Sequence, residues 1–184
     1  MKTLLKIKIM EEKQFQEAVF KAILGRRSIR RYQDKIPEKE KILKIIEAGI
    51  WAPSGLNNQP WRFVIIWSEE TKKRLSELTK YKEIVKKAPV LIGVFLEKSK
   101  MYHQIKDHQS AGACIQNMLL SAYALGLGTC WLGEILKNED KVKDVLGLPK
   151  NKYEMCALIA IGYPDDKSER AGRYSLEHFL IKEL

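Results

Sequence analysis

The fold of this chain is decided above all by residues 107–133, which read DHQSAGACIQNMLLSAYALGLGTCWLG. Apolar residues keep the helical period from Asp107, which could cap the helix, to about Leu125. Gly126 and Gly128 end the helix, and the strand-like T-C-W-L follows. Because the predicted helix is nearly apolar all round, neighbours must cover it on every side. A chain of 184 residues could need a second subunit to do so.

The rest of the chain alternates between helical and strand-like segments without a linker, repeat or low-complexity tract. Periodicity and turn residues predict helices at 11–24, 38–51, 69–78, 81–87 and 138–147, and strands at 61–67, 89–96 and 153–161. Interleaved helices and strands are typical of an α/β layered domain. We therefore expect one domain over residues 1–184, with an N-terminal arm at 1–10 and a C-terminal tail at 165–184.

Composition excludes several classes of protein. The longest apolar stretch, 89–96, is far shorter than the roughly 18–20 residues of a membrane span, so we expect no membrane contact. The three cysteines form no C-x-x-C pair, and His103 and His108 around Asp107 are a poor metal pattern. We expect reduced thiols in the cytoplasm and no metal. The net charge of +10 leaves nucleic-acid binding open, although lysines mixed with glutamates favour a solvated surface.

Two segments have the composition of a binding site for a phosphorylated heterocycle. Residues 26–31 read RRSIRR, and in an extended segment Arg26, Ser28 and Arg30 would point to one side as a phosphate clamp. Residues 52–61 read APSGLNNQPW, and their amide side chains can both donate to and accept from the edge of a heterocycle. A solvated basic turn and a plain loop are the respective alternatives.

Two further segments are weaker signals. The glycines of residues 126–134 would let the backbone approach a planar ligand, although a helix stop explains them equally well. The tail after Gly162-Tyr163-Pro164 carries Arg170 and Arg173, which could join a phosphate site or lie exposed.

Taken in order, these segments resemble the nitroreductase family of FMN enzymes from about residue 18 to residue 173. The most specific parts are RRSIR at 26–30, APSGLNNQPW at 52–61, the stretch at 107–133 and IGYP at 161–164. The resemblance implies an α+β fold with a mixed, mostly antiparallel sheet covered by helices. It also implies an interlocked homodimer in which two FMN molecules lie at the subunit interface and the tail at 165–184 could contact the partner.

The resemblance also implies which residues bind FMN. Arg26 and Ser28 would hold the phosphate with help from Arg27 and from Arg173 or Arg170, and Arg30 would reach the N1/O2 edge of the ring. The other subunit would line the ring, and the backbone near N5 would come from the glycine-rich segment. The expected cofactor-binding residues are Arg26, Arg27, Ser28, Arg30, Pro53, Ser54, Gly55, Asn57, Trp131, Leu132, Gly133, Arg170 and Arg173.

The implied activity is that of an oxidoreductase. NADH or NADPH would reduce FMN, and a nitroaromatic, quinone or similar small conjugated molecule would be reduced in turn by a ping-pong mechanism. The flavin carries this chemistry, so we nominate no catalytic side chain. Because the chain is short, we expect Met101, Tyr102 and His103 to form a small lid over an open, unselective pocket. Dehalogenation or flavin processing on the same scaffold, or a basic nucleic-acid-binding module, are the alternatives.

Overall fold

The computed structural model describes residues 2–165 and 172–184, with side chains from residue 12 onward. The described part contains six α-helices and four β-strands. The helices are α1 (Lys2–Gly25), α2 (Lys39–Ile50), α3 (Glu69–Ser76), α4 (Lys82–Lys87), α5 (Gln104–Ala124) and α6 (Glu139–Leu146). The strands are β1 (Trp61–Ile66), β2 (Val90–Glu97), β3 (Gly128–Leu132) and β4 (Tyr153–Gly162).

The strands form one sheet in the order β1-β2-β4-β3, and each neighbouring pair is antiparallel. Interleaving in sequence therefore does not produce a parallel α/β sheet here, and the α+β prediction is confirmed. Parallel pairing among the described residues is limited to an isolated bridge between Ser28 and Thr129. This bridge sets residues 28–30 beside β3 at the edge of the sheet.

Two hydrophobic layers cover the sheet, one on each face. The first layer holds α2 and α5, and it packs against alternating strand residues such as Ile92 and Ile159. The second layer holds α3, α4 and α6, and it packs against the intervening residues such as Leu91 and Leu158. The period of two in a strand explains this division, because successive side chains point to opposite faces.

Helix α2 lies unusually close to α5. A Cβ atom on Gly49 of α2 would come within 2.7 Å of Met118 Cγ in α5. Glycine therefore permits this close approach, and a larger residue would force the two helices apart. Helix α5 is buried along the stripe that faces α2 and the sheet, as its predicted apolar composition requires.

Two predicted boundaries are wrong. Helix α1 begins at Lys2 and not at residue 11, so residues 2–10 continue the helix. Residues 2–24 contain no proline or glycine to stop it. Helix α5 begins at Gln104, three residues before the predicted cap Asp107. The Asp107 carboxylate lies in the first turn instead and accepts the backbone N–H groups of Tyr102 and His103.

The C-terminal tail is described from residue 172 onward. It contains a short 3₁₀ turn at Leu176–His178, where the Tyr174 and His178 rings stack with centroids 4.6 Å apart. Over residues 2–165 and 172–184, no helix combines the length and hydropathy needed to cross a bilayer.

Candidate functional site

Three arginines meet at the end of α1. Burial lowers the pKa of Arg26, and the nearby charges of Arg27 and Arg173 lower it further. The positive charges of Arg27 and Arg173 therefore lie near enough to Arg26 to disfavour its charged form through like-charge repulsion. An anion placed among them would relieve the repulsion and accept several charge-assisted hydrogen bonds. The structure thus brings the tail arginine, distant in sequence, to the predicted phosphate segment.

Arg27 has a structural role as well. Its Nη1 donates to the backbone carbonyls of Leu24 and Arg26, each at 2.7 Å. A cation at these carbonyls stabilises the C-terminus of α1 through the helix dipole. Its Nε atom is buried and has no hydrogen-bond partner in the described structure. Such an orphaned donor beside two further cations fits an anionic ligand.

Residues 28–30 run alongside β3. The Ile29 N–H donates to the Thr129 carbonyl at 2.8 Å, and a Cβ atom on Gly128 would overlap the Ile29 side chain. Burial raises the pKa of Cys130 while the charge of Arg30 opposes that rise, so Arg30 lies near Cys130. Because the bridge is parallel, the segment advances from the arginine cluster towards Trp131 as β3 does.

Tyr32 holds this segment in place, which the sequence alone did not reveal. Its hydroxyl donates to the Ile29 carbonyl at 2.7 Å and lies 3.3 Å from the Ala160 carbonyl of β4. Burial raises the pKa of Tyr32 well above its usual value, and Cys130 adds to the rise, so the donor stays protonated. A tyrosine after a basic segment does not by itself predict this role, because the role depends on a contact with the distant strand β4.

The end of β3 offers backbone and one aromatic side chain. Leu132 points into the core and is buried, so only its backbone can meet a ligand. Trp131 points the other way and is 43% exposed. A Cβ atom on Gly133 would meet nothing within 4 Å, which leaves open space over this turn. The approach of a planar ligand to residues 131–133 stays a prediction, for which this turn has open space.

The loop at residues 52–61 has a strained backbone. Leu56, Asn57 and Gln59 have φ values of 55°, 54° and 45°, in the left-handed region that non-glycine residues rarely adopt. Strain of this kind persists only where surrounding structure holds it, and it clusters at functional sites. Ser54 Oγ accepts the Gln59 N–H at 3.2 Å across the loop. Pro53 and Asn57 are exposed, whereas Ser54 and Gly55 are half-buried.

A buried carboxylate holds this loop against α5, which the sequence analysis missed. The Asn58 side chain donates to Asp107 Oδ1 at 2.7 Å and to the Lys100 carbonyl at 3.0 Å. Burial raises the pKa of Asp107, but hydrogen bonds from Asn58 and from the His103 and Tyr102 backbone outweigh it and lower that pKa. Asparagine in a turn and aspartate near the start of a helix are both common, so the sequence gives no sign that Asn58 and Asp107 are hydrogen-bonded to each other.

The predicted site residues fall into two groups within one chain. Arg26, Arg27 and Arg173 meet, and residues 28–30 connect them to residues 131–133 along the sheet edge. Over the described residues, the hydrogen bonds of the loop at 52–61 run to α2, α5 and the neighbourhood of β2 and not to the arginine segment. Arg170 lies outside the described residues.

No group of three or more metal-ligating side chains occurs within the described part of the chain. His108, one of the two histidines considered as a ligand, has its Nε2 2.8 Å from the Glu154 carboxylate. Its Nδ1 lies 2.6 Å from the Gln104 carbonyl of the preceding turn. His108 therefore links α5 to β4.

Comparisons with known proteins agree with this geometry. The sequence model of the Nitroreductase family matches residues 23–82 and 76–163. A candidate NADH dehydrogenase/NAD(P)H nitroreductase from Archaeoglobus fulgidus is 34% identical over 157 residues, which cover 83% of this chain and 89% of the relative. An FMN reductase (NAD(P)H) from Bacillus subtilis is 28% identical over 177 residues, covering 86% and 71%.

A solved structure is similar over nearly the whole chain. It is that of a candidate nitroreductase from Desulfovibrio desulfuricans in complex with FMN. The TM-score is 0.87 at 46% sequence identity, and the match covers 90% of this chain and 96% of the other. The resemblance inferred from the motifs is thereby confirmed, and the chain belongs to the nitroreductase family.

Proposed function

We propose that this chain is an FMN-dependent NAD(P)H oxidoreductase that reduces small conjugated acceptors such as nitroaromatics or quinones. The observation that carries the proposal is the cluster of Arg26, Arg27 and Arg173, which residues 28–30 connect along the sheet edge to the open space at Trp131 and Gly133. A phosphate suits the cluster, and a planar ring suits the edge. The Bacillus subtilis relative is named an FMN reductase, and the Desulfovibrio desulfuricans structure contains FMN.

The chain's own residues bind and orient the cofactor. FMN, when bound, supplies a ring that takes up a hydride equivalent and passes electrons to an acceptor. Arg26 and Arg173 would bind its phosphate, with Ser28 donating from its hydroxyl. Arg30, which lies near Cys130, would place a positive charge at the N1/O2 edge of the ring. The backbone of Leu132 and Gly133 would lie along the ring because no side chain fills that space.

The strained loop would complete the site of a second copy in a homodimer. Within one chain its hydrogen bonds hold it against α5, and its tip stays exposed, with Leu56 85% exposed. Large apolar side chains of α1 and the tail are also exposed, including Phe15, Phe20 and Phe179. Exposed apolar surface of this extent marks an interaction site. Pro53, Ser54, Gly55 and Asn57 would therefore line the partner's flavin.

The proposed reaction is ping-pong, since donor and acceptor would use the same open space over residues 131–133 in turn. The electron pair leaves the nicotinamide as a hydride equivalent, and the acceptor gains those two electrons with two protons, one from the hydride equivalent and one from solvent. Positioning, rather than an acid or base of the chain, would account for the rate. Cytoplasmic location and the absence of a nucleic-acid partner stay predictions.

The test is a titration of the purified chain with FMN, followed by anaerobic addition of NADH or NADPH. We expect uptake of flavin and bleaching of its visible absorbance by one donor or both, and reoxidation by a quinone. A chain that takes up no flavin would refute the proposal. Salt-sensitive binding to random DNA by such a flavin-free chain would favour the basic-module alternative.

A further inference from the structure

The side chain of Tyr102 packs against the loop at residues 52–61, which we expect to line the flavin ring. A Cβ atom on Gly55 would overlap the Tyr102 hydroxyl and ring, so glycine is what allows the aromatic side chain to lie there. The Tyr102 side chain is 42% exposed. It therefore covers the inner part of the loop while keeping part of its surface open to a ligand.

One buried carboxylate fixes both Tyr102 and the loop. Asp107 is 0% exposed, and its Oδ2 accepts the Tyr102 N–H at 2.9 Å and the His103 N–H at 2.8 Å. Its Oδ1 accepts the Asn58 side chain of the loop at 2.7 Å. Hydrogen bonds to a charged, buried acceptor are the strong ones. Tyr102 and the loop thus form one unit, and wherever the loop meets a flavin, Tyr102 is beside it.

The chemistry of this unit favours one class of ligand. The phenol ring can stack on a planar conjugated molecule, and its hydroxyl can donate to a carbonyl or nitro oxygen. Lys106 Nζ lies 5.6 Å from the centroid of the Tyr102 ring and adds a positive charge beside it. That charge favours an acceptor whose oxygen gains negative charge on reduction.

We infer that Tyr102 determines acceptor specificity by covering a planar, oxygen-bearing acceptor as it lies on the flavin. The inference rests on the proposed function, and in the proposed dimer Tyr102 acts on the partner's flavin together with the loop. Asp107 and Asn58 are positioning residues that hold Tyr102 there. The pocket would then be open but would select acceptors by planarity, in place of the unselective pocket expected from the sequence.

The test compares two acceptors in flavin-loaded enzyme. A naphthoquinone is planar and can stack on the ring, whereas ferricyanide is a small inorganic ion that takes electrons without stacking. Tyr102→Phe removes the hydroxyl, and Tyr102→Leu removes the ring as well. The matched control is Tyr81→Leu, because Tyr81 is 39% exposed and also has a lysine, Lys80, 5.2 Å from its ring centroid.

We expect Tyr102→Leu to lower kcat/KM for the naphthoquinone about tenfold, as the loss of an aromatic stacking contact predicts. Tyr102→Phe should lower it about threefold through the lost hydrogen bond. The rate with ferricyanide and the Kd for FMN should change less than about twofold, and the control should match wild type for both acceptors.

An unchanged ratio of the two kcat/KM values in Tyr102→Leu would overturn the inference. A parallel loss of FMN affinity would overturn it too, because Tyr102 would then hold the cofactor and not select the acceptor. If Tyr102→Leu fails to fold, Tyr102→Phe decides by the same ratio. A wild-type chain that binds no FMN fails the proposed function itself, and that failure is visible before any variant is made.

Discussion

Replacing Arg26 by glutamine should weaken binding of FMN and leave binding of riboflavin nearly unchanged. Arg26 lies beside Arg27 and Arg173, whose charges lower its pKa. FMN carries a phosphate that the cluster can bind, and riboflavin is the same ring system without that phosphate. The difference between the two ligands therefore isolates the contribution of the cluster.

The size of the effect follows from the kind of bond that is lost. Hydrogen bonds between charged partners contribute about 1.5–3 kcal/mol net. At about 1.4 kcal/mol for each factor of ten, Arg26→Gln should raise the Kd for FMN roughly 10- to 150-fold. Binding of riboflavin should change less than about twofold. In the ligand-free chain the substitution removes a cation that its neighbours repel, so stability should stay equal or rise.

Fluorescence titration with both ligands, at low and high salt, measures these constants. At high salt, screening should reduce the difference between the Kd values of wild type and Arg26→Gln for FMN. Arg31→Gln is the matched control, since Arg31 is exposed and the substitution keeps its backbone carbonyl, which accepts the Asp165 N–H at 3.1 Å. An equal loss of affinity for FMN and riboflavin, or no loss of affinity for FMN, would refute the assignment of Arg26 to the phosphate.

Four further predictions concern stability and thiol chemistry. Asp107→Ala leaves three donors without their acceptor and should lower the free energy of urea unfolding by about 3 kcal/mol. A loss below about 1 kcal/mol would show that Asp107 does not hold the loop and Tyr102 in place. Hydrogen bonds lower the pKa of Asp107 in the folded chain. The ionised carboxylate should therefore stabilise the fold above the unfolded-state pKa of about 4, and this stabilisation should be lost as the pH falls further. In Asp107→Asn the free energy of unfolding should depend less on pH in this acidic range. Leu56→Asn should raise the melting temperature, since Leu56 has a φ of 55° and is 85% exposed; an unchanged or lower value would show that the strain is not relieved. Burial raises the pKa of Cys114 and Cys156 to about 12, so alkylation at neutral pH should be slow in the folded chain and fast in urea.

Much of the fold followed from local chemistry. Periodicity predicted a helix at 38–51, and its apolar residues Ile42 and Ile45 are fully buried in α2. Gly147, predicted to end α6, has a φ of 66° and lies just after the helix. Such features depend on neighbours within a few residues, so periodicity and turn chemistry are enough to find them.

The sheet order and the buried cations depended on contacts between distant segments. Interleaved helices and strands suggested an α/β arrangement, yet all four strands pair antiparallel in the order β1-β2-β4-β3. Lys72 reads as a surface lysine in sequence but is 1% exposed, with its ammonium group donating to the Ala88 carbonyl at 2.8 Å. Strand pairing and the burial of a lysine depend on which helices and strands pack together. A single sequence does not reveal that packing.

The candidate site divides in the same way. The sequence by itself predicted RRSIRR and APSGLNNQPW as binding segments, because arginine forks and amide side chains have a chemistry that does not depend on the fold. Only the tertiary structure placed Arg173 beside Arg26, and joined Tyr102 to the loop through Asn58 and Asp107. Residue types reveal what a segment can bind, whereas convergence of segments far apart in the chain is decided by packing of the whole domain.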